Sequence, residues 1–167
     1  MSVYVIYTMA GNEHKVEKAL GERVLLENEE VYVPLYEREQ IWHGEKRIVT
    51  SVLFPGYVFY DTGRGSQDLR QRLRKVWGLT RILGAENKAI PLHEEEVRFI
   101  YKLCGKGHVL DVSTAYLEGD KAKVIQGPLR GMDSCIVRVN RKKRTAVIRV
   151  KLLGRETDVE VGLDIIQ

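Results

Sequence analysis

The chain has 167 residues, 44% of them hydrophobic, and a net charge of +4 at neutral pH. That is enough for one domain or two small ones with an ordinary core. No apolar run approaches the ~18 residues of a membrane span, and Met1-Ser2-Val3-Tyr4 lacks the basic, apolar character of a leader, so neither membrane anchorage nor secretion is expected.

Val3-Tyr4-Val5-Ile6-Tyr7-Thr8 is apolar or aromatic on both faces and reads as a central strand. Gly11-Asn12 ends it. Asn12 is placed to cap a helix whose apolar face is Val16, Ala19, Leu20 and Val24. Val31–Tyr36 reads as a second strand, continued by Glu37–Trp42. His43-Gly44-Glu45 forms a hairpin tip, and Lys46–Phe54 returns. Pro55-Gly56 is a turn signal. Tyr57 and Phe59 alternate after it and share a strand face. Aromatic strand faces are usually core, so burial is the plain expectation for these rings.

Asp61–Ser66 reads as a loop, with Ser66 a candidate cap. Gln67–Val76 reads as a helix with Leu69, Leu73 and Val76 inward. Arg70 and Arg74 form one exposed ridge, and Arg72 and Lys75 form another. Leu79–Leu83 is a short strand. Glu94-Glu95-Glu96 opens a third helix to about Cys104, its acids correctly placed at the positive end of the helix dipole. Helices alternate with strands around a central hairpin, which argues for an α+β fold rather than a doubly wound sheet.

Gly105-Lys106-Gly107-His108 begins a linker. Short strands punctuated by glycine follow: Lys121–Gln126, Ser134–Asn140, Thr145–Lys151 and Thr157–Val161. This pattern fits a small β-barrel. Of the 27 basic and 23 acidic residues, 11 and 7 lie from Leu117 onward, so the whole excess sits in this piece. Arg141-Lys142-Lys143-Arg144 is its densest point. A solvated hairpin tip is the ordinary reading of such a run. An anionic partner, nucleic acid first, would relieve the mutual repulsion.

The chemistry of an enzyme is not legible. His14, His43, His93 and His108 show no metal-ligand spacing, and there is no phosphate loop and no nucleophile elbow. Cys104 and Cys135 lie far apart and fit reduced, buried thiols of a cytoplasmic protein.

The order of motifs is more specific than any one of them. Tyr32-Val33-Pro34, Phe54-Pro55-Gly56-Tyr57, Trp77-Gly78-Leu79, Ile90-Pro91-Leu92, Gly127-Pro128-Leu129-Arg130-Gly131 and Leu152-Leu153-Gly154-Arg155-Glu156-Thr157 follow one another with short gaps. In this the chain resembles the NusG family of transcription elongation factors over nearly its whole length. The resemblance implies an α+β NGN-like domain at 1–104, a linker at 105–116 and a KOW β-barrel at 117–167. It implies that Tyr7, Phe54, Tyr57 and Phe59 form an aromatic hollow for the clamp helices of the largest subunit of RNA polymerase. Ser66, Gln67 and Asp68 would reach the opposite jaw. In housekeeping members the KOW module recruits Rho or a small-subunit ribosomal protein. Here the barrel hairpin and the second helix are unusually basic, which is similar to the specialised LoaP type of antiterminator. That likeness implies a structured leader RNA held by Arg70, Arg72, Arg74, Lys75, Arg138, Arg141, Lys142, Lys143, Arg144 and Lys151, with Arg149 nearby. The expectation is a cytoplasmic, monomeric, non-enzymatic factor without cofactor or metal. The alternatives are the general elongation and termination factor, and a free or ribosomal RNA-binding protein.

Overall fold

Contacts divide the chain into two units in the computed structural model, which describes residues 2–62, 66–76, 81–82 and 91–166. One unit is Met1–Pro34 with Phe54–Val97; the other is Leu35–Leu53 with Arg98–Gln167. The first unit holds helices and antiparallel strands, and the second is mostly strands with the end of one helix, which gives the expected α+β class. The grouping differs from a division by sequence order, because the Leu35–Leu53 segment groups with the C-terminal strands.

The first unit is built on a four-stranded sheet in the order β2-β5-β1-β6. Strand β1 (Ser2–Tyr7) lies inside it, as its two apolar faces demand, with Val3, Tyr4, Val5 and Ile6 buried. It runs antiparallel to β5 (Tyr57–Thr62), Tyr7 opposite Tyr57, and to β6 (Arg81–Ile82). Helix α1 (Glu13–Arg23) buries Val16 and Leu20. Asn12 stands at its N-cap position, yet its side chain makes no capping bond. The neighbouring Glu13 turns inward instead and is 3% exposed. Helix α2 (Ser66–Leu73) tightens into a 3-10 turn at Arg74–Val76, and Leu69, Leu73 and Val76 are buried as the periodicity predicts. At the start of helix α3 (Glu94–Cys104) the Glu96 side chain reaches back, and the His93 N–H donates to its Oε1 at 3.2 Å, one half of a capping box. Trp77-Gly78-Leu79, Ile90 and most of the strand expected at Leu79–Leu83 lie outside the described residues.

The single strand expected over Val31–Tyr36 is two. Strand β2 (Glu30–Tyr32) pairs with β5 in the first unit, and β3 (Leu35–Trp42) belongs to the second. The break falls at Val33-Pro34, where proline has no N–H to give a ladder. β3 pairs with β4 (Glu45–Val52) through a two-residue turn, His43-Gly44, in which both residues have positive φ. Its other edge takes β7 (Val109–Leu110) in parallel.

Apart from the end of α3, the rest of the second unit is built on a five-stranded sheet in the order β10-β11-β12-β8-β9. These are β8 (Ser113–Glu118), β9 (Lys121–Gln126), β10 (Ile136–Asn140), β11 (Thr145–Leu152) and β12 (Arg155–Ile166). β12 is the spine. Its first part pairs antiparallel with β11 and its last four residues pair in parallel with β8. Residues 105–116, expected as linker, hold β7 and the start of β8, and Ser113 and Ala115 are buried. Ala146, Ile148, Val150, Leu152, Val159, Val161 and Leu163 supply the core. Cys135 sits in a 3-10 turn (Asp133–Cys135) rather than on a strand. Both cysteines are free, and burial pushes the Cys104 thiol up to about 12.

β3 lies against β12 through bare backbone. A Cβ added at Gly162 would stand 2.0 Å from the Glu37 carbonyl oxygen and 3.1 Å from Arg38 Cα. Two side-chain bridges flank this point: the Tyr36 hydroxyl donates to Glu160 Oε1 at 2.9 Å, and Arg144 Nη1 donates to Glu39 Oε2 at 2.9 Å. Gly162→Ala is therefore expected to cost about 1–3 kcal/mol and to lower the amide exchange protection of β3 and β4. Denaturant unfolding and hydrogen exchange check this, and an unchanged stability would refute the close approach.

Candidate functional site

The Phe54-Pro55-Gly56-Tyr57 turn is held from three sides. Its own closure is the Tyr57 N–H to Phe54 carbonyl bond, 3.1 Å. The Thr8 N–H donates to the Gly56 carbonyl at 2.7 Å, fixing the turn to the end of β1. The Glu13 carboxylate receives the Gly11 N–H at 2.6 Å on one oxygen and the Gly56 N–H at 3.1 Å on the other. Gly56 has φ +86°, and a Cβ there would lie 2.9 Å from the Thr8 carbonyl oxygen, so only glycine fits.

The four aromatics expected at this surface divide into a buried pair and an outer pair. Phe54 and Phe59 are 2% and 0% exposed, their ring centroids 5.7 Å apart, and Tyr32 packs on Phe59 at 5.6 Å. They are core and cannot themselves touch a partner. Beside them on the same sheet face Tyr7 and Tyr57 meet edge to face, 6.4 Å between centroids, with Tyr7 exposed and Tyr57 half-buried. Met9, 72% exposed, and the exposed Pro55 stand beside this pair in the chain. Sequence reading passed over Met9. The available signal was a long apolar residue directly after a strand end, before Ala10-Gly11.

Helix α2 does not present two equal basic ridges. Arg74 and Lys75 are exposed and Arg70 is half-buried, but Arg72 turns inward. Its guanidinium donates to both Glu29 oxygens at 2.9 Å, to the Tyr60 hydroxyl at 3.0 Å and to the Val24 carbonyl at 2.9 Å. It also donates to Asp68 at 3.0 Å. The expectation that Arg72 faces solvent fails because Glu29, from the loop before β2, brings a carboxylate under the helix. Tyr60 and Thr62 of β5 also donate to Glu29. Burial pushes this carboxyl up, but the bonds from Arg72, Thr62, Tyr60 and the Leu26 N–H outweigh it and hold it at about 2. Of the polar residues expected to reach a second jaw, Asp68 is tied to Arg72, and the Ser66 and Gln67 side chains lie outside the described residues.

The cations of the second unit are also sorted by the fold. The ladder sets Arg149 opposite Asp158 and Lys151 opposite Glu156 on the outer face. Arg149 donates to Asp158 at 2.8 Å, and that carboxyl is lowered by the bond. Lys143 lies 3.6 Å from Glu160, and Arg144 bonds Glu39 and Asp164, both at 2.9 Å. Arg138, Arg141, Lys142 and Lys151 are exposed, and among the described residues Arg141 and Lys142 have no ion-pair partner. The Asn140 side chain accepts the Lys143 N–H at 2.9 Å and shapes the tip that presents them. The cations of α2 and those of β10 and β11 lie in different units.

These features give an α+β chain with exposed tyrosine rings in its first unit and a cationic hairpin tip in its second. Among the described residues no cluster of histidine, cysteine, aspartate or glutamate could hold a metal, and no helix is long and apolar enough to cross a membrane. Comparison with known proteins gives the family. Residues 1–101 match the family model described as transcription termination factor NusG. The chain is 31% identical to the transcription termination/antitermination protein NusG of Staphylococcus carnosus, covering 98% of this chain and 93% of that one. It is 29% identical to the protein of that name from Thermus thermophilus, over 95% and 93% of the two chains. A solved structure described as "Domain interaction in Thermotoga maritima NusG" matches the fold with a TM-score of 0.56, 21% identity and coverage of 96% and 93%. The chain belongs to the NusG family, a family of transcription factors and not of enzymes.

Glu29 gives the first unit an acid limit. Its folded-state pKa of about 2 lies below the ordinary 4.5, so its contribution to stability is complete above pH 4.5 and is lost as pH falls toward 2. Unfolding midpoints measured across that window should fall for the native chain and fall less steeply for Glu29→Gln. Parallel curves would place the acid sensitivity elsewhere.

Proposed function

We propose that this protein is a transcription antitermination factor that rides RNA polymerase through its first unit. The observation that carries the reading is the outward Tyr7–Tyr57 pair on a turn fixed by Glu13 and Thr8. Preorganised aromatics bring large contact area with little side-chain entropy to lose, which suits an anchor in a protein interface. The occupant is the clamp helices of the largest subunit. Phe54 and Phe59 serve as the floor that holds the tyrosines. A factor that bridges a mobile clamp acts by shifting its population toward the closed state, with no chemistry of its own. The relatives carry both termination and antitermination in their name.

The finer reading is a specialised, LoaP-like factor recruited by a structured leader RNA. It is supported by Arg138, Arg141 and Lys142, which stay exposed while neighbouring cations are paired, and by Arg70, Arg74 and Lys75 on α2. An A-form hairpin is read by its backbone shape, with loop or bulge bases adding specificity. The competing reading is the general factor, whose small β unit takes Rho or a ribosomal protein. The pairing of Lys143, Arg144 and Arg149 favours it, because pairing lowers the charge offered to phosphate.

Tyr57→Ala is expected to abolish capture of RNA polymerase while RNA affinity stays the same. Retained capture would remove the tyrosine pair from the interface. The Lys142→Ala, Lys143→Ala double variant is expected to weaken binding to a selected RNA hairpin and to reduce its salt dependence by about one phosphate contact, that of Lys142, because Lys143 is paired with Glu160. An unchanged salt slope would return the protein to the general class.

A further inference from the structure

The tip of the β3–β4 hairpin carries an aromatic platform with no part in either surface above. Every residue from Ile41 to Ile48 is exposed. Trp42 is 52% exposed, a large apolar ring at the end of an arm. Arg47 from the returning strand places its guanidinium carbon 4.6 Å from the centre of the Trp42 ring. Gln40 holds it there, its Oε1 accepting from Arg47 Nε at 3.1 Å and from Nη2 at 2.8 Å. His43 meets the ring edge to face, 4.7 Å between centroids. The Gln40 bonds thus hold the cation against the indole.

The register shows what this face offers. Gln40 lies opposite Arg47, Trp42 opposite Glu45 and Arg38 opposite Val49, so Arg38, Gln40, Trp42 and Arg47 share one face. Ile41 and Ile48 lie on the other face with Lys46, which is 3.2 Å from Glu39. The ring face therefore has one aromatic surface, two cations and one acid, and the aliphatic pair is turned away from it. An apolar protein groove would favour the opposite arrangement, with Ile41 and Ile48 beside the ring. A flat ring and a planar cation followed by a second cation match the alternation of base and phosphate along an unpaired strand.

We propose that the Arg38–Gln40–Trp42–Arg47 face of the hairpin tip binds single-stranded nucleic acid. A base stacks on Trp42, and Arg47 and Arg38 take neighbouring phosphates. Gln40 is a positioning residue that keeps the Arg47 plane over the ring. Stacking needs an unpaired base, so a duplex is excluded as the ligand. The site is separate from both the tyrosine pair and the Lys142–Lys143 tip, and its fate does not depend on theirs.

Trp42 and Trp77 are the two tryptophans of the chain, so the full-length Trp77→Phe variant reports Trp42 emission alone. Short oligothymidylate and oligouridylate should quench it saturably, and duplex DNA of the same length should not. Affinity measured by anisotropy of a labelled oligonucleotide should fall about tenfold in Trp42→Ala, and Arg47→Lys should not behave as the native chain, since the ammonium cannot stack. Quenching should persist in the Lys142→Ala, Lys143→Ala background, which separates this site from the RNA surface proposed above. Should Trp77→Phe fail to fold, anisotropy with Arg47→Ala and Trp42→Ala in the otherwise native chain decides the same question. Absence of quenching, equal quenching by duplex, or quenching only by polymerase free of nucleic acid would each overturn the proposal, the last making the tip a protein contact.

Discussion

One buried carboxylate sets the geometry of the first unit. Glu13 receives the Gly11 N–H and the buried Gly56 N–H, and the latter would otherwise be left without a partner in the core. Buried backbone donors without acceptors are costly, so this clasp joins the start of α1 to the turn before β5 with little freedom to drift. The Thr8–Gly56 bond completes the frame from β1. Once the turn is fixed, the register leaves one arrangement for the rings, with Tyr7 beside Tyr57 outside and Phe54 against Phe59 inside.

The Glu29–Arg72 pair does related work on the other side of the same sheet strand. Its members are 4% and 13% exposed at the side chain, so each needs the other once water is removed. Such a pair is weak grounds for stability, because desolvation offsets attraction, but breaking it leaves a buried charge. Its use here is positional. It ties α2 to β5 through Tyr60 and Thr62 and to the residues before β2 through Val24 and Glu29. Arg72 is thereby removed from the set of cations that could meet a ligand.

In the second unit the same economy of charge is seen on the surface. β12 carries an acid at every outward position opposite a β11 cation, so the strand pairing itself neutralises much of the basic run. Arg141 and Lys142 stay exposed at one hairpin tip, and the Trp42–Arg47 stack stays exposed at another. Hairpin tips are where a rigid sheet can offer side chains without disturbing its core.

Much of this was legible in the chain itself. The apolar runs determined β1 and the buried faces of α1 and α2, the glycine and proline positions determined the turns, and the acidic start determined α3, because these are local consequences of side-chain period and backbone sterics. The ordered motifs named the family. Only the tertiary structure decided which aromatics are floor and which are surface, since alternation puts Tyr57 and Phe59 on one face and cannot know that Tyr32 and Phe54 cover Phe59. It alone showed that Glu13 is a clasp, that Arg72 has a buried partner 43 positions away in sequence, and that β3 sits on the Gly162 backbone. Each depends on groups far apart in the chain meeting at hydrogen-bond distance, and a linear pattern carries no record of that distance.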